Sequence, residues 1–242
     1  MIKTKTVHQI KFIDITMEKA VEYAEILYHS DRPSAVFTPN SLMVLDCLKN
    51  KSFLDIINSS DMNLPDGQGI IWAAKRLGSP LQQKIAGVDF AKKMLESLNN
   101  KNGSLFILGG EKNSLENAFN NIRQQYKNIL CDGCDGYYTD EKMVIDKINS
   151  ITPDVIFVCL GSPKQEYFIC NNKQYFKRGL FVGLGGTVDI LSGEKKRAPK
   201  IMIDLSLEWL WRAVIEPKRF RKLIKLPKFI YNTIIEKDKH NS

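Results

Sequence analysis

The chain has 242 residues, 35 Lys and Arg against 27 Asp and Glu, and a net charge of +8; 43% of it is hydrophobic and 26% charged. This is ordinary globular usage for one large domain, or for one domain with an appendage, and it excludes wholesale disorder and fibrous repeats. The charge is uneven: residues 1–192 carry 22 basic and 21 acidic side chains, whereas residues 193–242 carry 13 and 6. A nearly neutral body therefore ends in a cationic segment, which argues against a uniform nucleic-acid-binding coat.

The first residues show no apolar stretch followed by a small-residue cleavage site, so no secretory signal is expected. The longest uninterrupted apolar run, residues 155–160, is far short of the ~18 residues that suggest a bilayer span. Five cysteines without a framework of spacings fit a reducing cytosol, and a cytoplasmic protein is expected.

Short apolar runs then alternate with amphipathic stretches. Residues 16–29 read as a helix, with Ala20, Val21, Ala24 and Leu27 at helical spacing. Residues 34–38 read as a strand. A helix over 41–49 follows, with Ser41 as its N-cap and Leu42, Leu45 and Leu48 on one face. Helices are expected at 87–98, 114–126, 140–148 and 164–171, and strands at 104–108, 154–160 and 180–184. Strands separated by helical patterns of this length indicate βαβ units and a parallel sheet covered on both faces. A Rossmann-like α/β domain is expected over residues 1–192. A basic helical C-terminal appendage is expected over 193–242, with one helix at 200–215 and a second basic stretch interrupted by Pro227.

Three expected strand ends carry glycines: Gly109-Gly110, Gly161, and Gly183 with Gly185-Gly186. In an open α/β sheet the ligand crevice lies beyond the carboxyl ends of the strands, where glycines let backbone N–H groups approach a phosphate. Tight strand–helix turns need glycine for their own geometry, so a single such loop says little; three on one rim point to a nucleotide or phosphate site. Neither the P-loop nor the dinucleotide fingerprint is present. The loop Leu64-Pro65-Asp66-Gly67 is a turn signal that precedes a small apolar stretch at 70–74. It sets the Asp66 carboxylate near a helix start on the same rim, where it could take a proton from a hydroxyl nucleophile.

Other chemistries are poorly supplied. His8 and His240 lie near the ends of the sequence and His29 closes a surface helix, which argues against a Ser-His-Asp triad and histidine-rich metal sites. No D-x-D occurs, so a metal-held sugar diphosphate of the common kind is unsupported. Cys131 and Cys134 form a C-x-x-C, but the other three cysteines are isolated and the glycines and tyrosines around the pair suggest a loop.

Between Arg212 and Lys228 seven basic residues face one acid, Glu216, and alternate with Phe220, Leu223, Ile224, Leu226 and others. A cationic helix with an aromatic and aliphatic face suits an anionic leaflet; the plainer reading is an amphipathic helix docked on the core. Arginines here could also clamp a diphosphate. A nucleic-acid-binding tail on an α/β scaffold is the competing reading; the interleaved apolar residues favour membrane. A Rossmann oxidoreductase lacks its fingerprint.

The motifs occur as an ordered series. Thr38-Pro39-Asn40, Leu64-Pro65-Asp66-Gly67, Ala86-Gly87-Val88-Asp89, Leu108-Gly109-Gly110, Leu160-Gly161-Ser162-Pro163-Lys164-Gln165-Glu166 and residues 183–189 come first. Arg197-Ala198-Pro199, Glu208-Trp209-Leu210-Trp211-Arg212 and Glu216-Pro217-Lys218-Arg219-Phe220 follow. The series resembles the WecG/TagA/CpsF family of bacterial glycosyltransferases over nearly the whole chain. The resemblance implies a metal-independent, inverting transferase without cofactors. It would move a sugar, N-acetylmannosamine, its uronate or another hexose, from a UDP donor to an undecaprenyl-diphosphate-linked sugar at the cytoplasmic membrane face. In the teichoic-acid branch the acceptor sugar is N-acetylglucosamine. The family's catalytic aspartate falls on Asp66, its active-site threonine, asparagine and glutamine on Thr38, Asn40 and Gln165, and its C-terminal arginines on Arg212, Arg219 and Arg221. Substrate contacts are expected from Gly109, Gly110, Gly161, Lys164, Gly185, Gly186, Lys84 and Asp89. Lys84 stands where an arginine is expected, which keeps the charge but not the bidentate geometry. The expected partners are thus the two substrates and an anionic membrane surface, with self-association open to the tail's apolar residues.

Overall fold

The computed structural model describes residues 3–204, 207–215 and 224–240. The chain opens with an antiparallel hairpin, β1 (Thr4–Val7) and β2 (Ile10–Ile13), which turns on His8 and Gln9 at φ +49° and +67°. Two successive left-handed residues make the tight hairpin turn that matches strand twist. Helix α1 (Met17–Tyr28) follows, its first turn capped by the Thr16 hydroxyl.

Six parallel strands form the main sheet in the order β4-β3-β8-β7-β5-β6. They are β3 (Pro33–Phe37), β4 (Met62–Asn63), β5 (Ser104–Gly109), β6 (Leu130–Cys134), β7 (Val155–Cys159) and β8 (Gly179–Gly183). The central strands β7 and β8 are buried along their whole length, as a sheet covered on both faces requires. One face is covered by α1, α5 (Gly87–Asn100) and α6 (Lys112–Gln125), around Phe90, Leu95, Ile107 and Phe157. The other is covered by α2 (Ser41–Cys47), α3 (Lys51–Asn58), α4 (Gln68–Arg76), α7 (Glu141–Ile151) and α8 (Lys164–Asn172), around Phe37, Phe106, Ile156 and Phe181. The short α9 (Thr187–Leu191) returns to the first face through Val188. The expected α/β architecture is therefore present.

Four local expectations are corrected. The N-cap of α2 is Asn40, whose side-chain oxygen accepts from the Leu42 and Met43 amides; Ser41 is the first helical residue. The inward face of that helix carries Met43, Val44, Leu45 and Cys47, with Leu42 and Leu48 only half-buried. The Cys131–Cys134 segment is not a loop but the edge strand β6. Residues three apart on a strand point to opposite faces, and Cys131 packs on one side of the sheet while Cys134 packs on the other. The pair can neither close a disulfide nor share a metal ion, and burial pushes the Cys131 thiol up to about 11. The stretch 200–215 forms two helices, α10 (Lys200–Asp204) and α11 (Glu208–Ile215), rather than one.

The last helix, α12 (Leu226–His240), runs through Pro227 without a break. Proline in the first turn is harmless because its missing N–H would have no intrahelical partner. This helix packs on α2 and α4, and buries Phe229 and Thr233 against the body. The approach is close: a Cβ on Gly69 of α4 would lie 2.2 Å from the Ser41 hydroxyl and 3.6 Å from the Phe229 ring. His8, in the hairpin turn and 1% exposed, contacts the Glu236 carboxylate through Nδ1 and the Thr233 hydroxyl through Nε2, at 2.7 Å for the latter. Its ring also stands edge-on to Phe229. The histidine that sequence reasoning set aside as terminal is thus the clasp joining the first hairpin to the last helix. His8→Ala removes the ring's contacts to Glu236 and Thr233 and its edge-on packing against Phe229, with an expected loss of about 1–3 kcal/mol in urea unfolding and faster amide exchange concentrated in α12.

Candidate active site

Because all six strands are parallel, the loops that follow them emerge on one rim. The chain leaving β3 enters α2 on one face, whereas the chain leaving the neighbouring β8 enters α9 on the other. Such a divergence opens a crevice between the two strand ends, the usual ligand position in this architecture.

The residues that line this crevice are knit together by hydrogen bonds. Thr38, at the exit of β3, donates to the Gly183 carbonyl at the exit of β8, 3.2 Å away. Its hydroxyl and methyl also abut Gly87 at the start of α5, where a Cβ would lie 3.3 Å from Oγ1. The Asp66 amide donates to the Pro39 carbonyl at 3.2 Å, which sets the β4 exit loop against the β3 exit loop. The Ile85 amide donates to the Pro65 carbonyl at 2.9 Å, so Lys84 and Asp89 lie on the segment that flanks Asp66. Asp66 itself is half-buried. Gln165, in the first turn of α8 and 4% exposed, accepts from the Gly185 amide at 2.8 Å. Hydrogen bonds therefore tie together, along one crevice, five stretches of sequence that carry Thr38 and Asn40, Asp66, Lys84 and Asp89, Gln165, and Gly185 and Gly186.

The glycines divide into two groups. Gly67, Gly161 and Gly185 have positive φ and open space where a side chain would stand, as expected of loops bordering a crevice. Gly109 and Gly110 are instead accounted for by packing: Cβ atoms there would lie 2.5 Å from the Cys159 backbone and 2.8 Å from Val188. Lys164 is exposed, and it lines a cavity of about 400 Å³ beside the rim with Gly136, Tyr138, Leu160 and Tyr167. A larger cavity of about 650 Å³, between the hairpin, α1 and α3, shares no residue with these loops, so size does not locate the site. Arg219 and Arg221 lie outside the described residues, as does the side chain of Arg212, whose backbone belongs to α11.

Two residues here were not singled out as site residues from the sequence. Arg197 makes a two-pronged pair with the Asp89 carboxylate, its Nη2 lying 2.5 Å from Oδ2. Asp89 keeps the guanidinium still more firmly protonated against the opposing effect of burial, and the Glu208 and Asp66 carboxylates add to it. A fixed cation therefore stands within the field of Asp66. Its signal in the sequence was the Arg-Ala-Pro motif, whose partner 108 residues earlier could not be read from spacing. The second is Glu166, which is 0% exposed. Its Oε1 accepts from Gln165 Nε2 at 2.8 Å, while Oε2 has no hydrogen-bond partner. Among the described residues no three His, Cys, Asp or Glu side chains cluster in a way that could hold a metal ion.

Residues 5–242 match the family model described as the glycosyl transferase WecG/TagA/CpsF family. The chain belongs to this family. It is 34% identical over 241 residues to a Bacillus subtilis protein, covering 99% of this chain and 94% of the relative. It is 34% identical over 231 residues to one from Bacillus spizizenii, covering 95% and 90%, and 31% identical over 225 residues to one from Staphylococcus aureus, covering 92% and 89%. All three are named N-acetylglucosaminyldiphosphoundecaprenol N-acetyl-beta-D-mannosaminyltransferase. In this family member the chemistry is glycosyl transfer, and the crevice between β3 and β8 is its candidate site.

Burial pushes the Glu166 carboxyl above the usual carboxylate range, against the opposing effects of Gln165, its own backbone amide and Ser162. Burial pushes the thiols of Cys47 in α2 and Cys170 in α8 up as well, and the nearby Glu166 carboxyl adds a little to both. A carboxyl raised in the folded state contributes stability that is complete below its unfolded value, about 4.3, and is lost as pH rises through the folded value. Glu166→Gln removes that loss, so its melting temperature relative to the unaltered protein is expected to rise with pH above that range in thermal scans.

Proposed function

We propose that this protein transfers N-acetylmannosamine from a UDP-activated donor to undecaprenyl-diphosphate-linked N-acetylglucosamine, in the synthesis of teichoic acid or a related surface polysaccharide. The observation that carries the reading is the 34% identity, across 99% of the chain, to a relative whose name states that transfer. The gathering of Thr38, Asn40, Asp66 and Gln165 at one crevice supports it further.

In the proposed mechanism Asp66 accepts the proton of the acceptor hydroxyl as that oxygen attacks the anomeric carbon. The bond from that carbon to the diphosphate oxygen breaks in the same displacement, UDP leaves with the electron pair, and the anomeric centre inverts. Developing charge on the diphosphate is met by fixed cations and backbone amides rather than by a metal. Lys84 flanks the crevice, and Arg212, Arg219 and Arg221 are the family's candidates for the rest. Arg197 is held by Asp89 and serves to fix the segment that leads from α9 toward α10.

The lipid acceptor requires the site to work at a membrane surface. No helix of the described residues is long and apolar enough to cross one. Among the described residues, eight of the fourteen exposed large apolar ones, including Ile201, Val214, Ile224, Ile230 and Tyr231, lie beyond residue 200 in the cationic part of the chain. That combination of apolar and basic surface supports residues 193–242 as a peripheral membrane-docking appendage on the cytoplasmic face, bringing its arginines to the crevice where the lipid is met.

Asp66→Asn is expected to lower turnover at least about a hundredfold while UDP affinity stays within a few fold, the signature of a lost general base. The measurement is product formation from a panel of UDP-sugars with a lipid-diphosphate N-acetylglucosamine acceptor, with the product anomer assigned by NMR. Near-normal turnover by the variant removes Asp66 from this role, and preference for another donor reassigns the sugar.

A further inference from the structure

Glu166 is a buried carboxylic acid that neither the proposed chemistry nor the core requires. It is the third residue of α8, the position from which a glutamate commonly reaches back to the N-cap amide. That explanation fails here because the N-cap is Pro163, which has no N–H to offer. The side chain turns inward instead, reaches 0% exposure, and leaves Oε2 without a partner. An apolar residue of similar size would avoid that cost, so what Glu166 contributes lies in the contact it does make.

Besides Ser162 and its own backbone amide, the carboxyl meets the Gln165 amide. Nε2 donates to Glu166 Oε1 at 2.8 Å, and Oε1 of the same amide accepts from the Gly185 N–H at 2.8 Å. A flipped amide would set oxygen against oxygen on one side and two donors against each other on the other. The glutamate thus fixes which way the glutamine faces. Gln165 in turn occupies the space beside Gly183, its Nε2 lying 2.9 Å from where a Cβ would stand, and the Gly183 carbonyl accepts from Thr38. A chain of contacts runs from the buried acid through the glutamine to both strand ends that frame the crevice.

We propose that Glu166 is the positioning residue of this site: through the Gln165 amide it holds the β8 exit loop, residues 183–186, in the shape that receives the nucleotide of the donor. The proposal rests on the reading of this crevice as the donor site. Gln165, with its oxygen spent on Gly185, acts as the brace of that loop, and Glu166 acts only through it.

The test compares Glu166→Gln with Glu166→Asp in the full chain. Glutamine keeps an acceptor oxygen at the same reach, whereas aspartate keeps the acid but is one methylene too short. Glu166→Gln is expected to bind UDP within about threefold of the unaltered protein, and Glu166→Asp about tenfold more weakly, the scale of one hydrogen bond. The loss in Glu166→Asp should fall on donor KM rather than on kcat at saturating donor, since a binding geometry is impaired and not the proton transfer. The Gly185 amide resonance should move in Glu166→Asp and stay in place in Glu166→Gln. Unaltered UDP affinity and an unmoved Gly185 resonance in Glu166→Asp overturn the proposal, as does a Glu166→Gln variant as impaired as Glu166→Asp. Failure of the unaltered protein to bind UDP overturns the donor reading instead, and the Gly185 resonance then decides the role of Glu166 alone.

Discussion

Every functional feature of this protein depends on six strands that run the same way and are packed on both faces. Parallel pairing sends all the outgoing loops to one rim, and coverage by helices on both faces leaves that rim as the place where backbone and polar side chains can gather around a ligand. The divergence of the chain after β3 and β8 then chooses the point along the rim. Thr38 spans that divergence by donating to the Gly183 carbonyl, so the two strand exits are tied at that point.

The walls are held by side chains that are themselves held. Gln165 takes its orientation from Glu166 and gives it to Gly185; Asp89 takes Arg197 and so fixes the start of α5 to the segment beyond α9. The charge that results is balanced locally: an acid at position 66 stands in the field of a guanidinium that another acid already holds. Rigid placement of this kind matters for the proposed displacement, in which nucleophile, anomeric carbon and leaving oxygen must align, because small misplacements cost large factors in rate. The two ends of the chain are joined as well, since His8 in the first turn contacts Thr233 and Glu236 of the last helix. The basic C-terminal part is thereby anchored to the body through α12, while Leu210, Val214, Ile215 and Ile224 are exposed.

The sequence alone determined the architecture. Short β-rich runs separated by amphipathic stretches are a local pattern, and β3, β5, β7 and β8 and helices α1, α5, α6, α7 and α8 were legible from it to within a few residues. The motif order also placed Asp66 on a loop, Thr38 and Asn40 at the end of β3 and Gln165 at the start of α8, because glycine, proline and asparagine declare turns wherever they occur. What the local pattern could not supply was β4, a two-residue strand that exists only because β3 lies beside it, and β6, whose glycine is tolerated through close contact with Ile107 of its neighbour. The C-x-x-C lost its chemical meaning for the same reason: only the strand assignment shows that its two thiols face opposite ways.

The tertiary structure decided which residues meet. The pairing of Asp89 with Arg197, of Gln165 with the Gly185 amide and of His8 with Glu236 spans 108, 20 and 228 positions, and no periodicity in the sequence encodes such distances. It also showed which glycines have open space where a side chain would stand, at positions 67, 161 and 185, and which are closely packed, at 109 and 110, since both kinds read alike in the chain. Residue type states what a group can do; its burial and its neighbours, which arise only when the strands assemble, state whether it does so.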